Sequence, residues 1–171
     1  MPDADKTHVA RLMRINHTGE VCAQALYQGQ ALTARIASNK QALKHAAQDE
    51  VDHLAWCESR ITELGGRTSL LNPVWYVGSL TLGVLAGLAG DRWNLAFLEE
   101  TEKQVGGHLE GHLARVPQDD QRTRSVIHQM KMDEEGHAAL AHHLGAAPMP
   151  VPVRMAMKWA SKLMTSTVYW V

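Results

Sequence analysis

Strand-forming character is scarce in this sequence. It has a single phenylalanine, and aromatic residues make up 5%. Its β-branched runs are short, and apolar/polar alternation of period two never persists, which argues against a sheet-based fold. Cysteine is nearly missing too. Cys22 and Cys57 are the only two, with no Cys-x-x-Cys, so a disulfide framework and a structural zinc ribbon both fall away, and a reducing, intracellular setting fits. A net charge of −1 lacks the basic excess of a nucleic-acid binder. No Gly-rich dinucleotide fingerprint occurs. The short polar stretch from Met1 to Lys6 has neither an apolar signal region nor transit-peptide character.

What is present is helix-forming. Ala, Leu, Met, Glu, Gln and Lys dominate. At 171 residues, 45% hydrophobic and 20% charged, the chain suits one globular domain spanning 1–171. Six helical segments are expected, at about 3–37, 39–64, 74–89, 91–115, 119–144 and 153–168. Gly65-Gly66 closes the second. Asp91 is read as the N-cap of the fourth, and Pro148, Pro150 and Pro152 break the chain before the sixth. Met13, Met130, Met132 and Trp56 are read as core. Cys22 and Cys57 are read as small buried apolar residues, Cys57 one turn beyond His53.

A faint duplication points to chemistry. Asp49-Glu-Val-Asp-His53 recurs as Asp133-Glu-Glu-Gly-His137. In each copy a Glu and a His three residues apart share one helix face. Glu20 lies 30 positions before Glu50, and Glu102 lies 32 before Glu134. Two lone glutamates and two Glu-x-x-His motifs form the donor pattern of two-metal carboxylate helical bundles. Four carboxylates can neutralise and bridge two divalent ions, imidazole suits iron, and open positions remain for O₂ or substrate. Without metal, the same four carboxylates would repel one another. On spacing alone the fourth-segment donor stays open between Glu102 and Glu99, which share a face. Asp49 and Asp133 are either surface residues or partners that orient the histidine of the opposite helix. His17, one turn before Glu20, is read as a hydrogen-bonding neighbour of the site. Alternatives from other classes are a ferritin-like ferroxidase or peroxidase, and a non-enzymatic lipid- or quinone-binding bundle.

Several stretches carry a family resemblance. Arg11-Leu-Met-Arg-Ile-Asn-His-Thr-Gly-Glu-Val-Cys-Ala-Gln-Ala-Leu-Tyr-Gln-Gly-Gln30 resembles the first-helix signature of the demethoxyubiquinone hydroxylase family of ubiquinone biosynthesis. So do Asp52-His-Leu-Ala-Trp-Cys57, Thr68-Ser-Leu-Leu-Asn-Pro-Val-Trp-Tyr76, Ala86-Gly-Leu-Ala-Gly-Asp91 and Glu100-Thr-Glu-Lys-Gln-Val105. The resemblance runs from about His8 to the C-terminus and is closest to the bacterial branch. It implies an all-α, ferritin-like four-helix bundle with a di-iron centre and two added membrane-interfacial helices. It also implies O₂-dependent hydroxylation of 2-polyprenyl-3-methyl-6-methoxy-1,4-benzoquinone or its quinol. Carried over by motif, the iron ligands fall on Glu20, Glu50, His53, Glu102, Glu134 and His137. Electrons are expected from an external donor, from NADH bound without the usual motif, or from the quinol itself. Eukaryotic relatives carry a His-Tyr pair where this sequence reads His108-Leu109, which leaves that tyrosine's role with no residue to carry it. His108 is read as an ordinary polar helix residue in preference to the alternative, a residue near the substrate.

Membrane contact is the last expectation. No charged residue occurs from Thr68 to Gly90, but Asn72-Pro73 shortens the apolar part, and Gly78, Gly83 and Gly87 suggest close helix packing. A helix lying in the interface, or capping a greasy channel, fits better than one that spans. Arg154, Lys158 and Lys162 form a basic stripe beside Met155, Trp159, Leu163, Tyr169 and Trp170, as on interfacial amphipathic helices. An ordinary terminal helix is the alternative, and the polyprenyl substrate implied by the resemblance favours the interface. The expected location is the cytoplasmic side of the cell membrane, peripherally bound. The expected partners are the quinone, the membrane surface and other ubiquinone-biosynthesis enzymes, with no nucleic acid.

Overall fold

The computed structural model covers residues 1–171 and consists of six α-helices with no strand: α1 (Asp3–Thr33), α2 (Ala37–Glu63), α3 (Asn72–Leu88), α4 (Asp91–Leu113), α5 (Gln121–His143) and α6 (Val151–Val168). Where the boundaries depart from the sequence reading, the chain ends have local causes. Proline is tolerated in a first turn, where its missing N–H has no partner to lose. Pro73 and Pro152 therefore sit inside the first turns of α3 and α6 instead of preceding them. The first helix stops at Thr33 because Ala34 is extended. Asp91 is not an N-cap. Gly90, at φ 107°, holds that position, and the Asp91 carboxylate accepts the backbone N–H groups of Arg35 and Ile36 at 3.1 and 3.3 Å. It thereby pins the α1–α2 connection.

Four long helices share two apolar cores. One joins Ala23, Leu26 and Tyr27 of α1 to Leu43, Ala46 and Ala47 of α2, Leu95 and Leu98 of α4, and Ala141 of α5. The other joins Val9, Leu12 and Met13 to Cys57 and Ile61, Leu109, Ile127 and Met130. Chain order through these cores gives the directions. α1 and α5 run from the second core to the first, and α2 and α4 run the opposite way. The parallel pair α2 and α4 needs a long connection, and α3 lies within it. Ion pairing and hydrogen bonds tie the ends: Arg60 donates to Asp120 at 2.9 Å and to Thr123 Oγ1 at 2.8 Å, and Gln30 Nε2 donates to Asn94 Oδ1 at 2.6 Å.

α3 lies tightly along α1. A Cβ on Gly83 would run into the Leu26 carbonyl, one on Gly87 into Thr33, and one on Gly29 into the Leu80 carbonyl. Glycine is what permits this approach. Gly78 differs from that expectation: a Cβ there meets nothing within 4 Å, because the residue borders a cavity. Met132 and Trp56 also depart from the core reading. Both are exposed, since each sits on the outer face of its helix. Cys57 is buried as expected, whereas Cys22 is only half-buried and lines the cavity. No helix is long and apolar enough to cross a membrane.

Candidate metal centre

A polar layer separates the two apolar cores. Each of the four long helices passes through it once, and at that level each presents a glutamate: Glu20, Glu50, Glu102 and Glu134, all essentially inaccessible. Helical spacing adds His53 and His137, three residues beyond their glutamates. The six side chains form two overlapping quartets. Donor atoms of Glu20, Glu50, His53 and Glu134 all lie within 4.8 Å of one another, as do those of Glu50, Glu102, Glu134 and His137. Glu50 and Glu134 belong to both. His53 Nδ1 lies 2.9 Å from Glu50 and 3.4 Å from Glu134, and His137 Nδ1 lies 3.4 Å from Glu102 and 3.5 Å from Glu134.

The electrostatics of the bare protein are severe. Both carboxylate oxygens of Glu20, Glu102 and Glu134, one of Glu50, and Nδ1 of His137 are buried with no hydrogen-bond partner. Burial, followed by repulsion from Glu50 and Glu134, raises Glu20 well above the usual carboxylate range. Burial and then Glu134 raise Glu102 in the same way. Burial also pulls the two imidazoles down, but their carboxylate neighbours outweigh it and push His53 and His137 up to about 11. Burial would raise Glu134 too, yet the imidazoles of His137 and His53 beside it take it down to about 2. Native proteins seldom leave so many buried polar atoms unpaired, and the chemistry that satisfies this set is a pair of hard-to-borderline divalent cations sharing two carboxylates. The donor set fits a two-metal centre.

The flanking aspartates cross over. His53 Nε2 is 3.1 Å from Asp133 on α5, and His137 Nε2 is 2.9 Å from Asp49 on α2. Asp49 also reaches the exposed His45 at 2.9 Å, one turn earlier on its own helix. Glu99 stands outside the centre, with its carboxylate beside Lys103 and 3.2 Å from His142. His17 makes no hydrogen bond to the centre. Its ring turns to Asn72 at 3.3 Å, fastening α1 to the start of α3. Sequence reasoning missed Tyr27, a fully buried phenol whose ionisation is raised by burial and then by Glu102. Its signal was available: Tyr27 lies seven residues after Glu20, two turns along the same face.

Beside the polar layer lies a cavity of about 490 Å³ walled by α1, α3, α4 and α6. Ile15, Leu26, Trp75, Leu82, Phe97 and Met157 make it apolar, and Glu20 both lines it and belongs to the carboxylate–imidazole cluster. His108 also lines it, which favours the alternative that placed it near the substrate over that of an ordinary polar helix residue. The His108 ring packs 4.0 Å from that of His112, whose Nδ1 bonds Asn16 Oδ1 at 2.7 Å. Burial and Arg115 lower the basicity of His108, which keeps it neutral.

Comparison with known proteins gives concordant results. Residues 7–168 match the family described as "Ubiquinone biosynthesis protein COQ7". A Chromobacterium violaceum protein named 3-demethoxyubiquinol 3-hydroxylase is 63% identical over 166 residues, covering 97% of this chain and 81% of that one. Proteins of the same name from Laribacter hongkongensis and Nitrosomonas europaea are 60% and 58% identical over 169 and 171 residues, covering 99% and 100% of this chain and 82% of each relative.

Proposed function

Because this chain belongs to the ubiquinone biosynthesis protein COQ7 family, we propose that it is a di-iron monooxygenase that hydroxylates the ring of a demethoxyubiquinol with O₂, built as a ferritin-like four-helix bundle of α1, α2, α4 and α5. One observation carries this reading: the buried carboxylate–imidazole set abuts the apolar cavity, and Glu20 belongs to both. Glu20 and His53 would hold one iron, Glu102 and His137 the other, with Glu50 and Glu134 shared. The irons would supply the activation of O₂ that no side chain can provide.

The chain's own residues then have definable tasks. Asp133 and Asp49 accept the Nε2–H of His53 and His137, which fixes each tautomer and leaves Nδ1 as the donor toward the centre. The cavity walls exclude water and accept a polyprenyl tail. Asn16, Gln104 and the neutral His108 are polar groups that could meet the ring oxygens. The outer faces of α3 and α6 would rest on the cytoplasmic surface of the cell membrane, where the substrate dissolves. Val74, Val77, Leu82 and Leu85 of α3 and Met155, Trp159 and Leu163 of α6 are exposed there.

The test is product analysis. Protein loaded anaerobically with Fe²⁺, then given reductant, labelled O₂ and a demethoxyubiquinol, should place one labelled oxygen on the ring. Glu134→Ala should abolish turnover while helical content persists. Oxidation of Fe²⁺ with no change to the quinol would instead favour iron handling and overturn the proposal.

A further inference from the structure

Next to the apolar cavity, along the same seam between α4 and α6, runs a second depression of a different character. It is a groove of about 470 Å³ along the α4–α6 seam, and no apolar residue lines it. Lys103, Lys158 and Lys162 face a single carboxylate there, Glu100. Lys103 pairs with Glu99, and Glu100 accepts from Gln104 Nε2 at 2.7 Å. The two lysines of α6 have no acidic partner. That helix contains Arg154, Lys158 and Lys162 but no aspartate or glutamate, so its basic stripe is uncompensated. Groove and cavity adjoin, since Gln104, His108, Ser161 and Thr165 line both. Beside the lysines, Trp159 and Leu163 are 66% and 60% exposed. The Lys162 ammonium lies 5.6 Å from the centre of the Trp159 ring.

We propose that this groove receives the phosphate of an anionic phospholipid headgroup, so that α6 docks on anionic lipid in preference to neutral lipid and turns the cavity toward the bilayer. Lysines bind phosphate as point charges on flexible stems. A soluble phosphate compound would use those charges but leave Trp159, Leu163 and Met155 in water. A bilayer surface uses both: the ammonium groups stay at headgroup level while the tryptophan and leucine enter the acyl boundary. The inference rests on the membrane contact proposed above, and adds the chemistry of the lipid and the place where it is held.

Vesicle binding tests it. Iron-loaded protein is floated with vesicles of phosphatidylcholine alone and of phosphatidylcholine mixed with phosphatidylglycerol. Tighter binding to the mixed vesicles, weakening as salt is added, is the expected result. Each lysine near an anionic surface strengthens binding about five-fold, so Lys158→Gln with Lys162→Gln should weaken binding to mixed vesicles by about 25-fold. The same pair should leave binding to phosphatidylcholine, and hydroxylation of a short-tailed quinol in buffer, unchanged. Lys158→Arg with Lys162→Arg should retain the preference. Equal binding of the unsubstituted protein to both vesicles, or no effect of the glutamine pair, overturns the headgroup site while leaving membrane contact standing. Binding to neither vesicle overturns the contact as well. Loss of the preference when ADP is added at constant ionic strength assigns the groove to a soluble phosphate compound and overturns the proposal.

Discussion

Metal loading should expel protons, at least one from each histidine of the centre. In the metal-free protein at pH 7, His53 and His137 are cations, since both titrate near 11. Burial and carboxylate neighbours raise Glu20 and Glu102 toward the neutral form. Glu134, taken down to about 2, is already ionised. A ligand must shed its proton to bind metal, so the two imidazoles release about two protons for two divalent ions, and any proton held by the raised carboxyls adds to that. The assay is anaerobic titration with Fe²⁺ in weakly buffered solution, the released acid being followed by a pH-stat. Between pH 6 and 8 the logarithm of affinity should rise by at least about one per pH unit for each ion, because both imidazoles stay protonated across that window. Stability of the metal-free protein carries the same signature with the sign reversed. The two imidazoles are raised from 6.5 to about 11, so their contribution is complete below pH 6.5 and is lost as pH climbs toward 11. Glu20 and Glu102, also raised, add to the loss above pH 4.5. The thermal midpoint should therefore fall with rising pH without metal, and rise with pH when metal is present. Release of one proton or none, with affinity independent of pH, would refute this account of the site.

Two further outcomes follow from the surroundings of the centre. Asp49→Asn and Asp133→Asn should each weaken metal binding by about 10- to 100-fold in a chelator competition, with little change in helical content, because each removes the anion that orients a histidine. Gly83→Val should destabilise the protein by about 1–3 kcal/mol or more in denaturant unfolding, since its side chain meets the Leu26 carbonyl. Gly78→Ala, with nothing within 4 Å, should be neutral or stabilising by up to about 1 kcal/mol from helix propensity.

The twin Glu-x-x-His motifs were readable because helix geometry alone puts residues three apart on one face. Glu50 with His53, and Glu134 with His137, needed no tertiary knowledge to be paired. Glu102 against Glu99 could not be decided that way. Both lie on one face, so spacing leaves them equal; the family resemblance points to Glu102, and the position of α5 gives the physical reason, with one carboxylate beside His137 and the other beside Lys103 and His142. The misread residues follow the same logic. Met132 and Trp56 are apolar, but what decides burial is which helix face meets a neighbour. His17 lies one turn from Glu20 yet faces α3.

Composition and period thus determined that the chain is helical, where the helices lie to within a few residues, and which residue types could carry metal chemistry. These are local properties of single helices. The tertiary structure decided what local rules cannot: the crossed pairing of each aspartate with the opposite histidine, the sharing of Glu50 and Glu134 between two quartets, and the placing of Glu20 and His108 on one apolar cavity. Each depends on the rotation and register of helices that meet only after long stretches of intervening chain. Helical periodicity fixes a face but says nothing of what that face will meet.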